Sequence, residues 1–224
     1  SLCKQQILRP FGYDEGVARQ AGATFSARLL DDAIRDVMEA YAGSKLDRLV
    51  TDDMSDSDRI QSVLDGATEE LFDADDRLPQ YRFEERMREA ITLIHNRGYS
   101  TEQMLRWTVE RQNDRDPHES TRHLFAALVR VADHLYGRKK AEEHVVDQYD
   151  MLDRAVQLLE QSSGGRGTVD LLAERYRYLF IDEFQDTDTL QKRIVDALVE
   201  ALDGILVVGD WKQSIYRFRG AEPE

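Results

Sequence analysis

Apolar residues recur at intervals of three and four along almost the whole stretch from Ser1 to Tyr176, the spacing that lays a stripe along one side of an α-helix. Leu29, Leu30, Ala33, Ile34, Val37, Met38 and Tyr41 form one such stripe, and Gly43 stands where a helix C-terminus is expected. Residues 44–58 are polar and aspartate-heavy, which predicts a loop with at most a short helical turn. Further helices are predicted over 57–72, 83–96, 101–112, 118–144 and 149–161. Ser100, followed three residues on by Gln103, makes a capping box for the helix that starts at Thr101. Trp107 is assigned to the core side of that helix with Leu105 and Val109. Stripes of this kind serve helix-on-helix packing and carry no chemistry by themselves.

The texture changes at Tyr178. Tyr178-Leu179-Phe180-Ile181 is apolar at every position, and after a helical pattern over 190–202 a second such run follows, Ile205-Leu206-Val207-Val208. Unbroken apolar runs suit strands covered on both faces, so the segment reads as a βαβ unit with parallel strands. The runs stop at Asp182 and, one glycine later, Asp210, which places acids at the carboxyl ends of the strands, where open α/β sheets bind ligands. Ser162-Ser163-Gly164-Gly165-Arg166-Gly167 is the clearest flexible break. It is no phosphate cradle: no lysine follows the glycines and no strand precedes them, and the spacing G-x-x-x-x-G-K-[ST] is absent from all 224 residues.

Composition narrows the setting. No run of eighteen apolar residues exists to span a bilayer, and residues 1–11 lack the basic-then-apolar order of a secretion signal. Cys3 is the sole cysteine, so no disulfide framework or cysteine-based zinc site can form within the chain, and a cytoplasmic setting with no membrane is expected. The five histidines show no pair at metal-ligating helical spacing. The formal net charge of −14 argues against a broad basic surface for nucleic acid. Lysine is confined to positions 4, 45, 139, 140, 192 and 212, and the surface is rich in aspartate. Such a surface fits either an ordinary solvated exterior or a high-salt cytoplasm.

Asp182-Glu183, directly after an apolar strand, is the arrangement a nucleotide hydrolase needs. One carboxylate can hold Mg²⁺, usually through water because that ion dehydrates reluctantly, and the other can orient or deprotonate an attacking water. Acid pairs at strand ends also serve simply to cap the next helix, so the pair alone leaves both readings open. In Val208 to Glu222, Tyr216 and Phe218 offer flat faces for unstacked bases, with Arg217 and Arg219 interleaved as local positive charge.

Phe180 to Thr187, FIDEFQDT, followed by GDWKQSIYRFRGAE from Gly209, resembles motifs II and III of superfamily 1 helicases of the UvrD/Rep type. Both motifs are long, occur in the right order and end apolar strands. Ser1 to Gly12, SLCKQQILRPFG, resembles motif Ib more weakly, and residues 147–159 partly match a segment that precedes motif II. Lys212 before Gln213 is similar to the RecB/AddA branch, the helicase subunits of exonuclease V.

The resemblance implies an α/β fold: part of a RecA-like P-loop NTPase domain (1A) with two parallel strands, plus a large all-helical insertion (1B). Residues 1–12 and 148–224 would belong to 1A and 13–147 to the insertion. It also implies an ATP-dependent DNA helicase moving 3′-to-5′, with ATP and Mg²⁺ as cofactors, single-stranded DNA as track, and a nuclease or helicase partner subunit. Residue by residue, Asp182 would coordinate Mg²⁺ through water and Glu183 would be the catalytic base. Gln185 and Asp186 would link the nucleotide site to neighbouring motifs, and Gln213 would report on the γ-phosphate. Asp210 and Arg219 would complete the nucleotide side, with Tyr216, Arg217 and Phe218 on the DNA. Without a P-loop lysine or arginines from a second RecA-like domain, the 224 residues alone are expected to hydrolyse no ATP and to be a piece of a larger motor. The alternative is a non-catalytic nucleic-acid or protein-interaction module that keeps the motor's shape. Either way, two parallel strands leave an exposed edge, expected near Ile205 to Val208.

Overall fold

The structure, a computed structural model, describes residues 19–66, 80–111, 118–160 and 167–210. The motif Ib-like segment Ser1 to Gly12 lies outside the described residues. The described chain is mostly helical with a few short parallel strands, and it divides into two compact units.

The helical unit comprises Gly22–Ile94 and Tyr99–Glu143. It holds α1 (Ala23–Ala42), α2 (Ser57–Gly66), most of α3 (Gln80–Asn96), α4 (Thr101–Glu110) and α5 (Glu119–Glu142). The expected stripe of α1 is its buried side, Leu29, Leu30, Ala33, Ile34, Val37 and Met38. α5 is the central helix, burying residues on several sides because it packs against α1, α2 and α4. Gly43 closes α1 through its N–H to the Glu39 carbonyl, but the left-handed residue is the next one, Ser44 (φ 52°). A 3-10 turn at Leu46–Arg48 is the short helical turn expected within the acidic loop. That loop is pinned to α5 by an ion pair, Arg130 Nε to Asp56 Oδ2 at 3.0 Å, with Asp56 almost wholly buried. The Ser100–Gln103 capping box is present in both directions.

Trp107 is not in the core: it is 45% exposed. Helical residues two apart are separated by about 200° around the axis, so burying Leu105 turns Trp107 outward. Its ring instead meets Tyr99 edge-on.

The α/β unit comprises the described residues up to Ala21, His95–Gly98, and those from His144 onward. Its elements are β1 (Arg19–Gln20), β2 (Val145–Val146), α6 (Gln148–Glu160), α7 (Thr168–Arg175), β3 (Tyr178–Ile181), α8 (Thr189–Val199) and β4 (Gly204–Val207). β1 and β2 pair in parallel and set side by side the residues where the chain leaves and re-enters this unit. Two-residue strands with no apolar alternation leave no pattern to read, and this pair is not expected from the sequence. His95 joins the unit by stacking on Tyr149, ring centroids 4.0 Å apart, and Gly98 (φ 68°) sits against Leu190.

β3 and β4 form the predicted parallel pair, in register from Tyr178 opposite Gly204 to Ile181 opposite Val207. Met151, Leu152, Ala155, Val156 and Leu159 of α6 and Leu190, Ile194 and Leu198 of α8 make the core, with Leu179 packed against it. Cover on both faces, the expectation from the apolar runs, is not what the described residues show. Among the described residues nothing covers the face that carries Tyr178, Phe180 (72% exposed), Leu206 and Val208, and Val207 on the opposite face is exposed as well. The helices that flank β3 and β4 in the chain contribute to a single layer, which leaves the alternate side chains uncovered.

Candidate catalytic site at the strand tips

β3 ends at Ile181, and the chain must turn at once because α8 is fixed a few residues on. Asp188 caps α8, its carboxylate accepting the Gln191 N–H at 2.8 Å while the Gln191 side chain accepts the Asp188 N–H. Burial pushes the Asp188 carboxyl above the usual carboxylate range, against the two backbone bonds that favour its charge. Between strand and cap lies a 3-10 turn, Phe184–Asp186. Glu183 enters it in the left-handed conformation, φ 54° and ψ 41°. For a residue with a Cβ that conformation costs about 1–2 kcal/mol, so the surroundings must hold it.

Three groups do so. The Glu183 N–H donates to Asp182 Oδ1 at 2.9 Å. Its carboxylate Oε2 accepts Nε2 of Gln185, whose residue is buried. The Gln185 side-chain oxygen in turn accepts the Asp210 N–H at 3.0 Å, tying the loop after β3 to the loop after β4. The strand ladder continues into the same region, with Val208 N–H on the Ile181 carbonyl at 2.8 Å and Phe184 N–H on the Val208 carbonyl at 3.1 Å.

Gly209 makes this closeness feasible. A Cβ there would lie 2.5 Å from the Gln185 side-chain oxygen and within 3.3 Å of two backbone nitrogens. Its signal in the sequence is its place at the end of the second apolar run, just before Asp210. Asp186 adds a buried carboxylate oxygen, Oδ1, that has no hydrogen-bond partner among the described residues. Asp182, Glu183, Asp186 and Thr187 line an open cleft of about 530 Å³, which residues of β3 and of α8, Ile194 and Leu198 among them, also line.

Of the residues singled out from the sequence, Asp182, Glu183, Gln185, Asp186 and Asp210 thus come together at the two strand tips. Gln213, Tyr216, Arg217, Phe218 and Arg219 lie outside the described residues. Among the described residues no group of three or more His, Cys, Asp or Glu could hold a metal ion by itself, and no helix is long and apolar enough to cross a membrane.

A family model described as the UvrD/REP helicase N-terminal domain matches residues 20–224. An ATP-dependent helicase/nuclease subunit from Levilactobacillus brevis is 28% identical over 239 residues, covering 98% of this chain and 18% of the relative. Proteins of the same name are 38% identical in Exiguobacterium sibiricum, over 45% of this chain and 9% of the relative, and 42% identical in Syntrophomonas wolfei, over 40% and 7%. The chain therefore spans less than a fifth of the length of these relatives.

Proposed function

This chain belongs to the UvrD/REP helicase family through its N-terminal domain, and from that premise we propose that it forms the magnesium-facing half of an ATPase site in an ATP-dependent DNA helicase/nuclease. The α/β unit is the RecA-like 1A part, and the helical unit, Gly22–Ile94 with Tyr99–Glu143, is the 1B-type insertion expected within residues 13–147. The observation that carries the reading is the Gln185 amide, which joins the acid loop after β3 to the backbone of Asp210 after β4. A motor needs its hydrolytic acids mechanically tied to the segment that senses the track, and this side chain makes that tie.

The residues fit a hard cation. The donors at the tips are carboxylate oxygens, Asp182 keeps one oxygen clear of its bond to the Glu183 N–H, and too few acids converge for an all-protein cage. That is the donor set expected where Mg²⁺ keeps several waters and takes only one or two carboxylates plus substrate phosphates. When bound, the ion would neutralise charge on the phosphoryl oxygens. Asp182 holds its hydration shell. Glu183 orients the attacking water and accepts its proton, and Gln185 sets where that carboxylate points. Gln213 senses the γ-phosphate, Asp210 and Arg219 serve the nucleotide side, and Tyr216, Arg217 and Phe218 carry the single-stranded DNA, which is followed 3′-to-5′. Two strands with one bare face support the view that this α/β unit works inside a larger sheet, beside a P-loop and a second RecA-like domain. A nuclease or second helicase subunit is the partner.

Phosphate release by the purified 224 residues should be nil, while a longer polypeptide with the same residues and a P-loop should turn over ATP with Mg²⁺ and lose that activity on Glu183→Gln. Magnesium-dependent turnover by the 224 residues that Glu183→Gln abolishes would overturn the division of labour. Absence of turnover in the longer protein would leave a non-catalytic binding module.

A further inference from the structure

All the large apolar side chains that stand exposed among the described residues of the helical unit lie near the corner between α3 and α4: Leu93, Tyr99 and Trp107. Tyr99 precedes α4 and Trp107 lies on its outer side, and their rings meet edge to face, centroids 5.2 Å apart and planes at 80°. Each residue is a little under half exposed, Tyr99 46% and Trp107 45%. Trp107 stands about 200° around α4 from buried Leu105 and leaves close to half of its surface open to solvent.

We propose that Tyr99 and Trp107 form a stacking platform for unpaired nucleobases on the helical unit. The proposal rests on the reading of the chain as part of a DNA motor and adds a contact surface to it. Size selects the ligand. Aromatic side chains bury 150–250 Å² each when fully covered, so two half-exposed rings offer on the order of 200 Å². A stable protein partner needs about 800 Å² per side. One or two flat bases need no more than the rings supply. The perpendicular planes present two differently oriented surfaces, which suits bases splayed from a single strand and not the closed stack of a duplex. Charge plays little part: between Glu102 and Arg111 two glutamates offset two arginines, though Arg111 stands one turn beyond Trp107 on the same side. Binding at this platform therefore depends weakly on salt, unlike a contact made through phosphates.

The test uses the full 224-residue chain carrying Trp211→Phe, which leaves Trp107 as the sole tryptophan. Oligo(dT) labelled at one end is titrated while its anisotropy and the Trp107 emission are both recorded, with a duplex of equal length as control. Trp107 emission should be quenched by the single strand and not by the duplex. Tyr99→Ala should weaken the emission-detected affinity by at least about 5-fold, the low end for loss of one stacking contact, and Tyr99→Phe should restore it. A rise in anisotropy without quenching would place the DNA elsewhere and overturn the platform, leaving the motor reading intact. Quenching by duplex and single strand alike, or on raising protein concentration without DNA, would overturn it too. No response in either signal also ends the platform, and ATP turnover by the longer polypeptide then decides the motor reading separately.

Discussion

The side-chain oxygen of Gln185 accepts the backbone N–H of Asp210 at 3.0 Å, across 25 residues of sequence. The same amide donates to Glu183, so its orientation is determined from both ends: the oxygen must face Asp210 and the nitrogen must face the carboxylate. A buried amide fixed in this way resists rotation, and the Glu183 carboxylate takes its direction from it.

Gln185→Glu keeps the shape and removes the donor, setting a second carboxylate against Glu183. Loss of a buried hydrogen bond to a charged group should cost about 1.5–3 kcal/mol in urea unfolding. Gly209→Ala should cost a similar amount, about 1–3 kcal/mol, by driving a Cβ into the same oxygen. Because both changes act on one side chain, its nitrogen in the first and its oxygen in the second, the double variant should depart clearly from the sum. Simple additivity would show that Gly209 and Gln185 act apart.

In the helical unit, Arg130 pairs with a carboxylate, Asp56, whose side chain is 1% exposed and whose second oxygen has no partner among the described residues. Arg130→Met should therefore destabilise by about 3–5 kcal/mol, the cost of a buried charge left alone. Arg130→Met combined with Asp56→Leu should recover most of that loss, because no charge remains to be solvated. Failure of the second change to rescue would mean that the pair holds the loop by geometry and not by charge.

Burial lowers the His134 pKa from its ordinary value of 6.5, outweighing Asp53, which raises it, while Arg130 and Arg138 add to the lowering and Asp133 opposes it. The folded state then binds fewer protons than the unfolded chain between the lowered value and 6.5, so stability falls as pH drops below about 6.5. His134→Gln, which can still reach Thr51, should flatten that part of the profile. Chemical denaturation in pH steps on both proteins checks it, and equal slopes would remove His134 as the cause.

The Asp188 carboxyl behaves in the opposite sense. Its folded pKa stands above the ordinary value of 3.8, so its contribution is largest at low pH and is lost as pH rises through the raised value. Asp188→Asn, an equally good helix cap, should abolish that loss without shortening α8. Circular dichroism melts across the acid range should show the variant gaining on the parent as pH rises, and a constant difference would contradict the burial effect.

Phe180 is 72% exposed, so Phe180→Asp should leave the melting temperature nearly unchanged in circular dichroism melts. A large loss of stability would mean that the ring is covered in solution.

Local chemistry is legible in the chain. The apolar stripe of α1, the capping box at Ser100 and the strand Tyr178–Ile181 all follow from spacing and residue type, because each depends on neighbours a few residues away. The candidate acids are legible too, since Asp182 and Asp210 end the apolar runs. What the sequence could not carry were relations set by distant partners. Trp107 faces outward because Leu105 meets the core, the short β1–β2 pair exists because two far segments arrive side by side, and Gly209 matters only because Gln185 lies against it. Spacing determines which residues share a face; only the packed chain decides which face is covered and which side chains at two strand tips touch.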